Sequence, residues 1–578
     1  MTGELMTQSF GAHTTQSTNQ PAIKHKAINR RLPLRAWHHL RQTGLSPFVV
    51  MALLAGFLVL TANWQFFHQV LAVYPLAQNV GFVFSLALVL FALLLLVLLL
   101  TGHRYTLKPI GVLLLLVAAV TGYFADTYAT VYDGNMLQNA LQTDTAEAHD
   151  LLNGWFILRV LVLGVLPSAW LIWQPLKQPS LKQAVLQRFA WLVGGVVLLA
   201  ALMGSQSGQY ASFFREHKPL RSYALPLTPI YATGKLASNT LHARKRAHVS
   251  IQDPAADAKQ LSTPATRRPR LVVMVVGETA RADHSPMNGY ARNTLPQLSQ
   301  TAGVTNFSHV TSCGTSTAYS VPCMFSYLGE QNYQVDDAGN YRNVLDTLHR
   351  LGINVLWRDN NSDSKGVMSQ LPQDLYQSYH TDATNPVCHT NPYDECRDVG
   401  MLAGLDDYLK TTHATAPRDV LIVLHQMGNH GPAYYKRYDA TFAKFNPVCQ
   451  TNELADCAQH EIINGYDNAL LATDDFLAKT IGWLKTHQQD YDVAMLYSSD
   501  HGESLGENNV YLHGLPKAFA PEAQRHVLAM MWRADSNTPS FAQPVAGDSQ
   551  LSHDAITPTL LKLFDVHTRA AADTRFIQ

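Results

Sequence analysis

The chain has 578 residues, and its 43 basic and 43 acidic side chains give a formal net charge of zero. This length exceeds one typical domain and predicts at least two, while the balanced charge argues against a dedicated nucleic-acid-binding protein. Hydrophobicity is uneven, because very long apolar stretches fill the first 205 residues and the remainder has the composition of a soluble globular protein.

Five stretches of the first part are long and apolar enough to cross a bilayer as helices, which takes about 20 residues. Buried helices of a soluble core are a poor alternative, because the run FALLLLVLLL is more uniformly apolar than such a helix requires. The predicted spans are residues 47–67, 81–101, 109–126, 154–173 and 189–205.

Basic residues around these spans predict their orientation. Lysines and arginines precede the first span and occur in the second and fourth connections, whereas the first and third connections contain none. By the positive-inside rule, residues 1–46 are cytoplasmic, and five crossings place everything after the last span outside. The first span has no small-residue cleavage site, which predicts an anchor and not a removed signal peptide.

Two further segments border the second part of the chain. The connection 127–153 is acidic, and is either a solvated loop or a cap that meets a substrate or the soluble domain. Residues 206–250 mix aromatic and basic side chains, which suits an anionic membrane surface, and residues 253–269 are predicted to be a linker. The predicted organisation is a cytoplasmic segment 1–46, a transmembrane domain 47–205, an interfacial segment and linker 206–269, and an external domain 270–578.

All six cysteines lie in the second part of the chain and form three close pairs along the sequence. Their even number and their clustering suit an oxidising compartment, which agrees with the external placement. Local pairing is the simplest connectivity, but the pattern alone does not choose among the many that are available, and reduced, buried thiols remain an alternative. The cysteines are Cys313 and Cys323, Cys388 and Cys396, and Cys449 and Cys457.

Three apolar runs in the second part, at 271–276, 420–424 and 493–497, suit parallel strands buried on both faces. Helical patterns lie between them, for example over 464–486, and this alternation predicts an α/β sandwich with a mostly parallel central sheet. Ligands bind beyond the carboxyl ends of the strands in such sheets. The polar residues that follow the runs are therefore expected to share one rim: Glu278, His430, Asp500 and His501.

Carboxylates and imidazoles on one rim are suitable ligands for a divalent cation. The cysteines are expected to be oxidised, so they cannot serve as thiolate ligands. The expected ligands are therefore oxygen and nitrogen atoms, and such a site favours zinc over manganese. His513 could reach the same cleft from a loop. A single acid or histidine after a strand is ordinarily a turn residue or a helix cap, but four of them at three strand ends favour a common role.

The stretch SCGTSTAYSVPC, residues 312–323, supplies candidate nucleophiles. It is rich in hydroxyl groups, it is bounded by two cysteines, and residues 324–328 after it are predicted to be helical. A hydroxyl at a helix start lies where backbone N–H groups favour a phosphate, and a metal that lowers its pKa would activate it. A plain Ser/Thr-rich turn is the alternative, and residue types alone leave open Ser312, Thr315, Ser316 and Thr317.

Four motifs cover most of these positions: GETARADH (277–284), SCGTSTAYSVPCMFS (312–326), HQMGNHGP (425–432) and SDHGESLGE (499–507). With them the chain resembles, over nearly its whole length, the lipid A phosphoethanolamine transferases, in particular the mobile colistin-resistance group within the alkaline phosphatase superfamily. The resemblance implies a helical membrane domain of five spans, an external α/β domain of the alkaline-phosphatase and sulfatase type, and three disulfides paired in chain order.

The resemblance also implies roles for particular residues. Thr317 would be the catalytic nucleophile. One zinc would be held by Glu278, Thr317, Asp500 and His501, and a second zinc or the transferred phosphate by His430 and His513. The other positions implied to bind substrate are Asn361, Lys365, Glu503, Asn139 and Glu147.

The implied reaction has two steps, in which Thr317 takes phosphoethanolamine from phosphatidylethanolamine and a lipid A phosphate then takes it from Thr317. The modified lipid A would bind polymyxins such as colistin less well. The implied partners are these two lipids and the bilayer, with no nucleic acid, and we expect a monomer in the inner membrane with a periplasmic catalytic domain.

Two alternatives remain open from the sequence. One is the transfer of phosphoglycerol or phosphoethanolamine to another envelope glycan, and the other is a membrane-tethered metal-binding sensor without enzymatic activity. A sulfatase is disfavoured, because the chain has no Cys/Ser-x-Pro-x-Arg motif.

Overall fold

The computed structural model describes residues 44–103, 105–132, 134–142, 151–177, 179–215, 220–245, 251–381, 383–389, 391–412, 417–452, 454–518, 520–534 and 541–578. A helical membrane half comes first and an α/β half follows. Almost all of the predicted cytoplasmic segment 1–46 and the predicted substrate residue Glu147 lie outside the described residues.

Helices of the membrane half confirm the predicted apolar spans. Four of them, Leu76–Thr101, Leu107–Tyr128, Gly154–Trp173 and Leu181–Ser205, are long and apolar enough to cross a membrane. Pro47–Ala62 and Trp64–Val73 form a pair bent by 63°, which is a fifth span if the pair counts as one. The helices are α1 Pro47–Ala62, α2 Trp64–Val73, α3 Leu76–Thr101, α4 Leu107–Tyr128, α5 Gly134–Gln142, α6 Gly154–Trp173, α7 Leu181–Ser205, α8 Ser207–Arg215 and α9 Leu227–Lys245.

The bend in the first predicted span lies at Asn63, which is 1% exposed. Its Nδ2 donates to the carbonyls of Leu58 (3.0 Å) and Leu225 (2.9 Å), and its Oδ1 accepts from the N–H of Leu225 (2.9 Å). Backbone groups freed at a break in apolar surroundings need such partners. The asparagine therefore stabilises the bend and ties it to the segment that follows the last span.

A half-buried ion pair joins α4 and α6. Nη2 of Arg159 lies 2.6 Å from Oδ2 of Asp126, and Oδ1 of Asp126 accepts from the backbone N–H of Gln65 on α2 at 3.0 Å. Charged side chains within a membrane half are costly unless they are paired. This pair therefore connects three helices next to the bend at Asn63.

A seven-stranded sheet forms the centre of the α/β half, and its strands are β1 Arg270–Gly277, β2 Val304–Phe307, β3 Asn354–Asp359, β4 Tyr376–Ser378, β5 Val420–His425, β6 Asp492–Ser499 and β7 Ala529–Arg533. Their order across the sheet is β2-β7-β6-β1-β5-β3-β4. Only β7 runs antiparallel to its neighbours within this sheet. The three predicted strands are its central ones, β6, β1 and β5, and all their residues are buried, which confirms the mostly parallel sheet.

Helices cover both faces of the sheet. Alternate residues of β1 belong to different apolar clusters. Val272 packs in the cluster that contains the helices 344–350 and 556–563, and Val273 packs in the one that contains the helices 405–412 and 459–486. The sheet is thus the middle layer of a sandwich, as predicted. The main helices are α10 Thr317–Met324, α11 Val344–Arg350, α12 Leu405–Thr412, α13 Gln459–Thr486 and α14 Ile556–Leu563.

Two features hold the periphery of the α/β half together. The six cysteines form three disulfides in chain order, Cys313–Cys323, Cys388–Cys396 and Cys449–Cys457. The segment 253–269, expected to be a linker, packs against the domain: Lys259–Gln260 pairs with Val566–His567, and Arg267 forms an ion pair with Asp419 at 2.6 Å.

Candidate active site

The carboxyl ends of β1 and β6 bring three predicted ligands together. The strands are parallel neighbours with Gly277 opposite Ser499, so Glu278 and the pair Asp500 and His501 leave the sheet side by side. One ligand atom of each of these three residues lies within 4.8 Å of the other two. All three side chains are buried, at 1% exposure or less.

The turn after Glu278 is held in an uncommon backbone conformation. Thr279 has φ 51°, which is rare for a β-branched residue. Its N–H donates to Oδ1 of Asp500 at 3.2 Å, and its carbonyl accepts from the hydroxyl of Tyr466 at 2.6 Å. Gly428, with φ +49°, approaches so closely that a Cβ there would lie 3.0 Å from the carbonyl oxygen of Glu278. The surroundings thus fix the turn that aims Glu278.

Thr317 is the first residue of α10 and belongs to the same group of atoms. Its Oγ1 lies 3.2 Å from Oε2 of Glu278 and 3.3 Å from Nε2 of His501. The predicted helix over 324–328 is wrong, because α10 covers residues 317–324 and residues 325–328 form a turn and bends. The expectation that a hydroxyl stands at a helix start is met by Thr317 itself.

Two of the other candidate hydroxyls face elsewhere. Thr315 Oγ1 donates to the carbonyl of Leu515 at 2.6 Å, and Ser312 Oγ donates to the carbonyl of Gly314 at 2.5 Å. Ser316 precedes α10, and its side chain does not cap the helix. Geometry therefore separates Thr317 from residues that composition left equivalent.

The atoms that face one another in this group are mostly acceptors. Nδ1 of His501 lies 2.9 Å from the carbonyl of Gly502, which can only accept, so Nδ1 carries the proton and Nε2 presents a lone pair. Burial lowers the pKa of His501 well below its usual value, so the ring is neutral.

Nε2 of His501 lies 3.3 Å from Oδ2 of Asp500 and 3.5 Å from Oε1 of Glu278. Within the described part of the chain, Oδ2 of Asp500 accepts no hydrogen bond, and burial raises the pKa of this carboxyl. Two carboxylates and an imidazole lone pair, buried together, fit a divalent cation.

Glu503 and the two predicted histidines lie beside this group. The rings of His501 and His513 have centroids 4.2 Å apart, and those of His430 and His513 are 5.7 Å apart. Nδ1 of His513 lies 3.2 Å from Oε1 of Glu503, which is 0% exposed. A carboxylate can only accept, so Nδ1 of His513 carries the proton and Nε2 presents the lone pair.

A cavity of about 280 Å³ connects these histidines with the membrane half. Its walls include Phe124 and Tyr128 of α4, Asn139 of α5, and His430 and His513 of the α/β half. The predicted substrate residue Asn139 therefore lies in the same cavity as the two histidines. The cavity is mostly apolar, and the two histidines contribute polar groups to its wall.

The remaining predicted substrate residues follow β3. Nδ2 of Asn361 donates to Oε2 of Glu278 at 2.8 Å and to the carbonyl of Gln426 at 2.9 Å, so this residue contacts the ligand set directly. Lys365 is buried in the same loop, where its Nζ lies 3.8 Å from Asp363.

The loop after His513 joins the loop that precedes Thr317 to the membrane half. The N–H of Gly514 donates to the carbonyl of Thr315 at 2.7 Å, and the carbonyl of Leu515 accepts from the Thr315 hydroxyl. Leu515 itself is 5% exposed and packs in the apolar cluster of the membrane helices. One short segment thus contacts Thr315, carries His513 and touches the membrane half.

Sequence reasoning missed several polar residues around the site. The run NVLWRDN ends in polar residues as the other strands do, and that signal could have identified Asp359, whose Oδ2 lies 2.9 Å from Nδ1 of His425. Ser499 and His553 contact the segments that bear the ligands, but the stretch QLSHDA around His553 carries no comparable pattern.

Comparisons with known proteins agree with this geometry. Residues 270–566 match the family model "Sulfatase", and residues 90–241 match "Phosphoethanolamine transferase EptA/EptB". The central sheet, the candidate metal ligands at its strand ends and the match to the sulfatase family model define a member of the alkaline phosphatase superfamily.

Similarity over the full length narrows this class. The chain is 57% identical to phosphatidylethanolamine transferase Mcr-2 of Escherichia coli over 94% of this chain and 99% of the relative, and 57% identical to Mcr-1 of Escherichia coli over 92% and 98%. The solved structure of EptA from Neisseria meningitidis has 31% identity and a TM-score of 0.84, and the match covers 92% of this chain and 98% of that one. The chain belongs to the phosphoethanolamine transferase family.

Proposed function

We propose that this protein transfers phosphoethanolamine from phosphatidylethanolamine to a phosphate of lipid A, with Thr317 carrying the group between the two lipids. The observation that carries this proposal is the position of the Thr317 hydroxyl, 3.2 Å from Glu278 and 3.3 Å from His501 at the start of a helix. Members of the family named as phosphatidylethanolamine transferases support the donor.

A zinc ion would be held by the buried carboxylates of Glu278 and Asp500, the imidazole of His501 and the hydroxyl of Thr317. This set of two oxygen anions, one nitrogen and one hydroxyl suits zinc, which takes four ligands in such sites. When bound, zinc would supply a Lewis acid that lowers the pKa of the attacking hydroxyl. Asn361 would hold Glu278 in place through its 2.8 Å hydrogen bond.

In the first step, Oγ1 of Thr317 attacks the phosphorus of phosphatidylethanolamine. A bond forms between Oγ1 and phosphorus, the bond from phosphorus to the glycerol oxygen breaks, and diacylglycerol leaves with a proton. The N-terminal N–H groups of α10 and the side chain of Lys365 would stabilise the negative charge on the phosphoryl oxygens.

In the second step, a phosphate oxygen of lipid A attacks the same phosphorus and the threonine hydroxyl is restored. In the first step, His513, oriented by Glu503, would take the threonine proton and pass it to the departing glycerol oxygen. In the second step, it would take a proton from the attacking lipid A phosphate and pass it to the threonine oxygen. His430 lies beside His513 and would bind the transferred group or a second zinc. The two half-reactions predict ping-pong kinetics.

The cavity between the two halves would hold the diacylglycerol part of the donor. Helices α4 and α5 form one part of its wall, and His430 and His513 form another. A lipid bound there would place its acyl chains toward the membrane helices and its phosphate toward Thr317. Asn139 would bind the lipid in this cavity, and Glu147 would do the same from the connection that contains α5.

We place the protein in the inner membrane with a cytoplasmic N-terminus and a periplasmic catalytic half, because the basic residues flank alternate connections and the six cysteines form disulfides. Ethanolamine carries an ammonium group that offsets negative charge on lipid A. Cells that express the protein should therefore bind polymyxins less well and resist colistin. We further propose that the protein acts as a monomer without nucleic acid.

Mass spectrometry of lipid A tests the proposal. Cells that express the wild type should gain lipid A with one added phosphoethanolamine, and cells that express Thr317→Ala should not. Thr301→Ala is the matched control and should behave as the wild type, because it removes the same atoms at a half-buried position whose hydroxyl donates to the carbonyl of Gln297 in its own turn.

Intact-protein mass spectrometry provides the second measurement. The wild type, quenched during turnover without lipid A, should carry a phosphoethanolamine adduct that Thr317→Ala lacks. An adduct without any change in lipid A would refute the acceptor and favour another envelope glycan. The absence of both would refute the enzymatic function and favour the sensor.

A further inference from the structure

His553 bridges the loop that carries Thr317 and the strand end that carries Asp500. Its Nδ1 lies 3.1 Å from the backbone nitrogen of Cys313, and its Nε2 lies 2.9 Å from the carbonyl oxygen of Ser499. The side chain is 1% exposed, so water does not compete for either contact. The two partners belong to segments that are far apart in the sequence.

These two contacts fix the protonation of the ring. The N–H of Cys313 can only donate, so Nδ1 must be bare, and the carbonyl of Ser499 can only accept, so Nε2 must carry the proton. Both requirements are met by one neutral tautomer. Burial lowers the pKa of His553 to about 3, which keeps the ring in that form at neutral pH.

Ser499 extends the bridge to the other ligand-bearing segments. Its Oγ accepts from the N–H of Ala280, two residues after Glu278, at 2.7 Å, and donates to the carbonyl of His501 at 3.0 Å. His553 and Ser499 together therefore contact all three segments that carry the proposed metal ligands. Neither side chain is itself one of those ligands.

We propose that His553 is a positioning residue that sets the distance between the Thr317 hydroxyl and the group formed by Glu278, Asp500 and His501. The inference rests on the proposed transferase function. The two nitrogens of an imidazole point in different directions, so a histidine can accept from one segment and donate to the other across a fixed width. Misplacement of a nucleophile by about 1 Å can lower a rate by about 100-fold.

Two substitutions of His553 each keep one half of the bridge. The side-chain oxygen of His553→Asn lies near the position of Nδ1 and keeps the bond to Cys313, whereas the amide nitrogen of His553→Gln reaches toward Ser499 and keeps that bond. We expect both full-length variants to fold and to bind zinc with wild-type stoichiometry. Their kcat should fall by about 10–100-fold, while the KM for phosphatidylethanolamine stays within about twofold.

Hydrogen exchange gives a readout that does not depend on activity. The peptide that contains the Cys313 amide should exchange faster in His553→Gln than in His553→Asn, because only the glutamine variant loses the acceptor for that N–H. His487→Asn, on the surface beside Asp406, is the matched control and should match the wild type in kcat and in exchange.

The outcomes separate this inference from the proposed function. If kcat stays within about twofold of the wild type in both variants, or falls only in proportion to lost zinc, His553 does not position Thr317. If the wild type itself transfers nothing, the proposed function fails and the positioning inference fails with it. Equal exchange of the Cys313 amide in the two variants overturns the bridge whatever the activity.

Discussion

Asp500→Asn should weaken metal binding and at the same time stabilise the metal-free protein. Oδ1 of Asp500 accepts from the N–H groups of Thr279 (3.2 Å) and His501 (2.7 Å), so an asparagine must place its oxygen there. Its NH₂ group then occupies the position of Oδ2, 3.3 Å from the lone pair of His501. The substitution removes an anionic ligand and removes the repulsion between two buried carboxylates.

Both effects can be given magnitudes. Loss of one partner of a buried charged contact costs about 3–5 kcal/mol, which corresponds to zinc binding weaker by about 10²–10⁴-fold. Two charges no more than 4.8 Å apart, the limit within which the proposed ligand atoms lie, repel by at least about 3.5 kcal/mol at an effective dielectric constant of about 20. Because burial raises the pKa of Asp500, a bound proton already relieves part of this repulsion. We therefore expect a gain of about 1–3 kcal/mol in the metal-free state.

Chelator competition and chemical unfolding of the full-length protein in detergent would measure the two quantities, with and without zinc. Asp474→Asn is the matched control, because both carboxylate oxygens of Asp474 accept backbone N–H groups and neither faces the ligand set. That control should keep the zinc affinity and lose stability. Our reasoning would be refuted if Asp500→Asn bound zinc within tenfold of the wild type, or if it were less stable than the wild type in chelator.

Three further predictions follow from other parts of the structure. Leu152→Trp, in the wall of the cavity between the two halves, should raise the KM for phosphatidylethanolamine at least about tenfold at unchanged zinc content, and an unchanged KM would remove the lipid from this cavity. Asp126→Asn and Arg159→Gln should each destabilise the membrane half by about 3 kcal/mol, and the double variant by less than their sum; additive losses in unfolding experiments would contradict a coupled pair. As the pH falls below about 6.5, a histidine in the unfolded chain takes up a proton. Burial lowers the pKa of folded His553 to about 3, so the folded chain takes up no proton there until that pH. Stability that is present above pH 6.5 is therefore lost on acidification. His553→Asn should reduce that slope by up to about 1.4 kcal/mol per pH unit, and equal slopes in unfolding titrations would exclude this contribution.

Apolar patterning predicted the parts of the fold in which burial is nearly complete. Strands β1, β5 and β6 are buried on both faces and consist of uninterrupted aliphatic runs, so their ends could be read from the sequence. Strand β3 was missed because Arg358 interrupts its apolar run. That guanidinium is buried and donates to the carbonyls of Met401 and Ala403, each at 2.6 Å, which no local pattern reveals.

The candidate site was predictable to the extent that its proposed ligands follow those strands. Glu278, Asp500 and His501 come directly after apolar runs, whereas Thr317 could be chosen among four hydroxyls only through the family resemblance. The helix that begins at Thr317 was misplaced, because Pro322 lies inside it and proline ordinarily interrupts a helix. The break at Asn63 could not be predicted from the local sequence, because the partner that stabilises it, Leu225, lies 162 residues away.

The contact of Leu515 with the membrane helices has a consequence for inhibitor discovery. A catalytic half cut away from its membrane helices would expose this leucine to water and lose one wall of the space in front of His513. Compounds screened against such a fragment would meet an incomplete receptor. Screens on the intact protein in a lipid environment should therefore yield compounds that the fragment cannot select. Such compounds would have an apolar tail that contacts the helices and a phosphate mimic that binds the histidines.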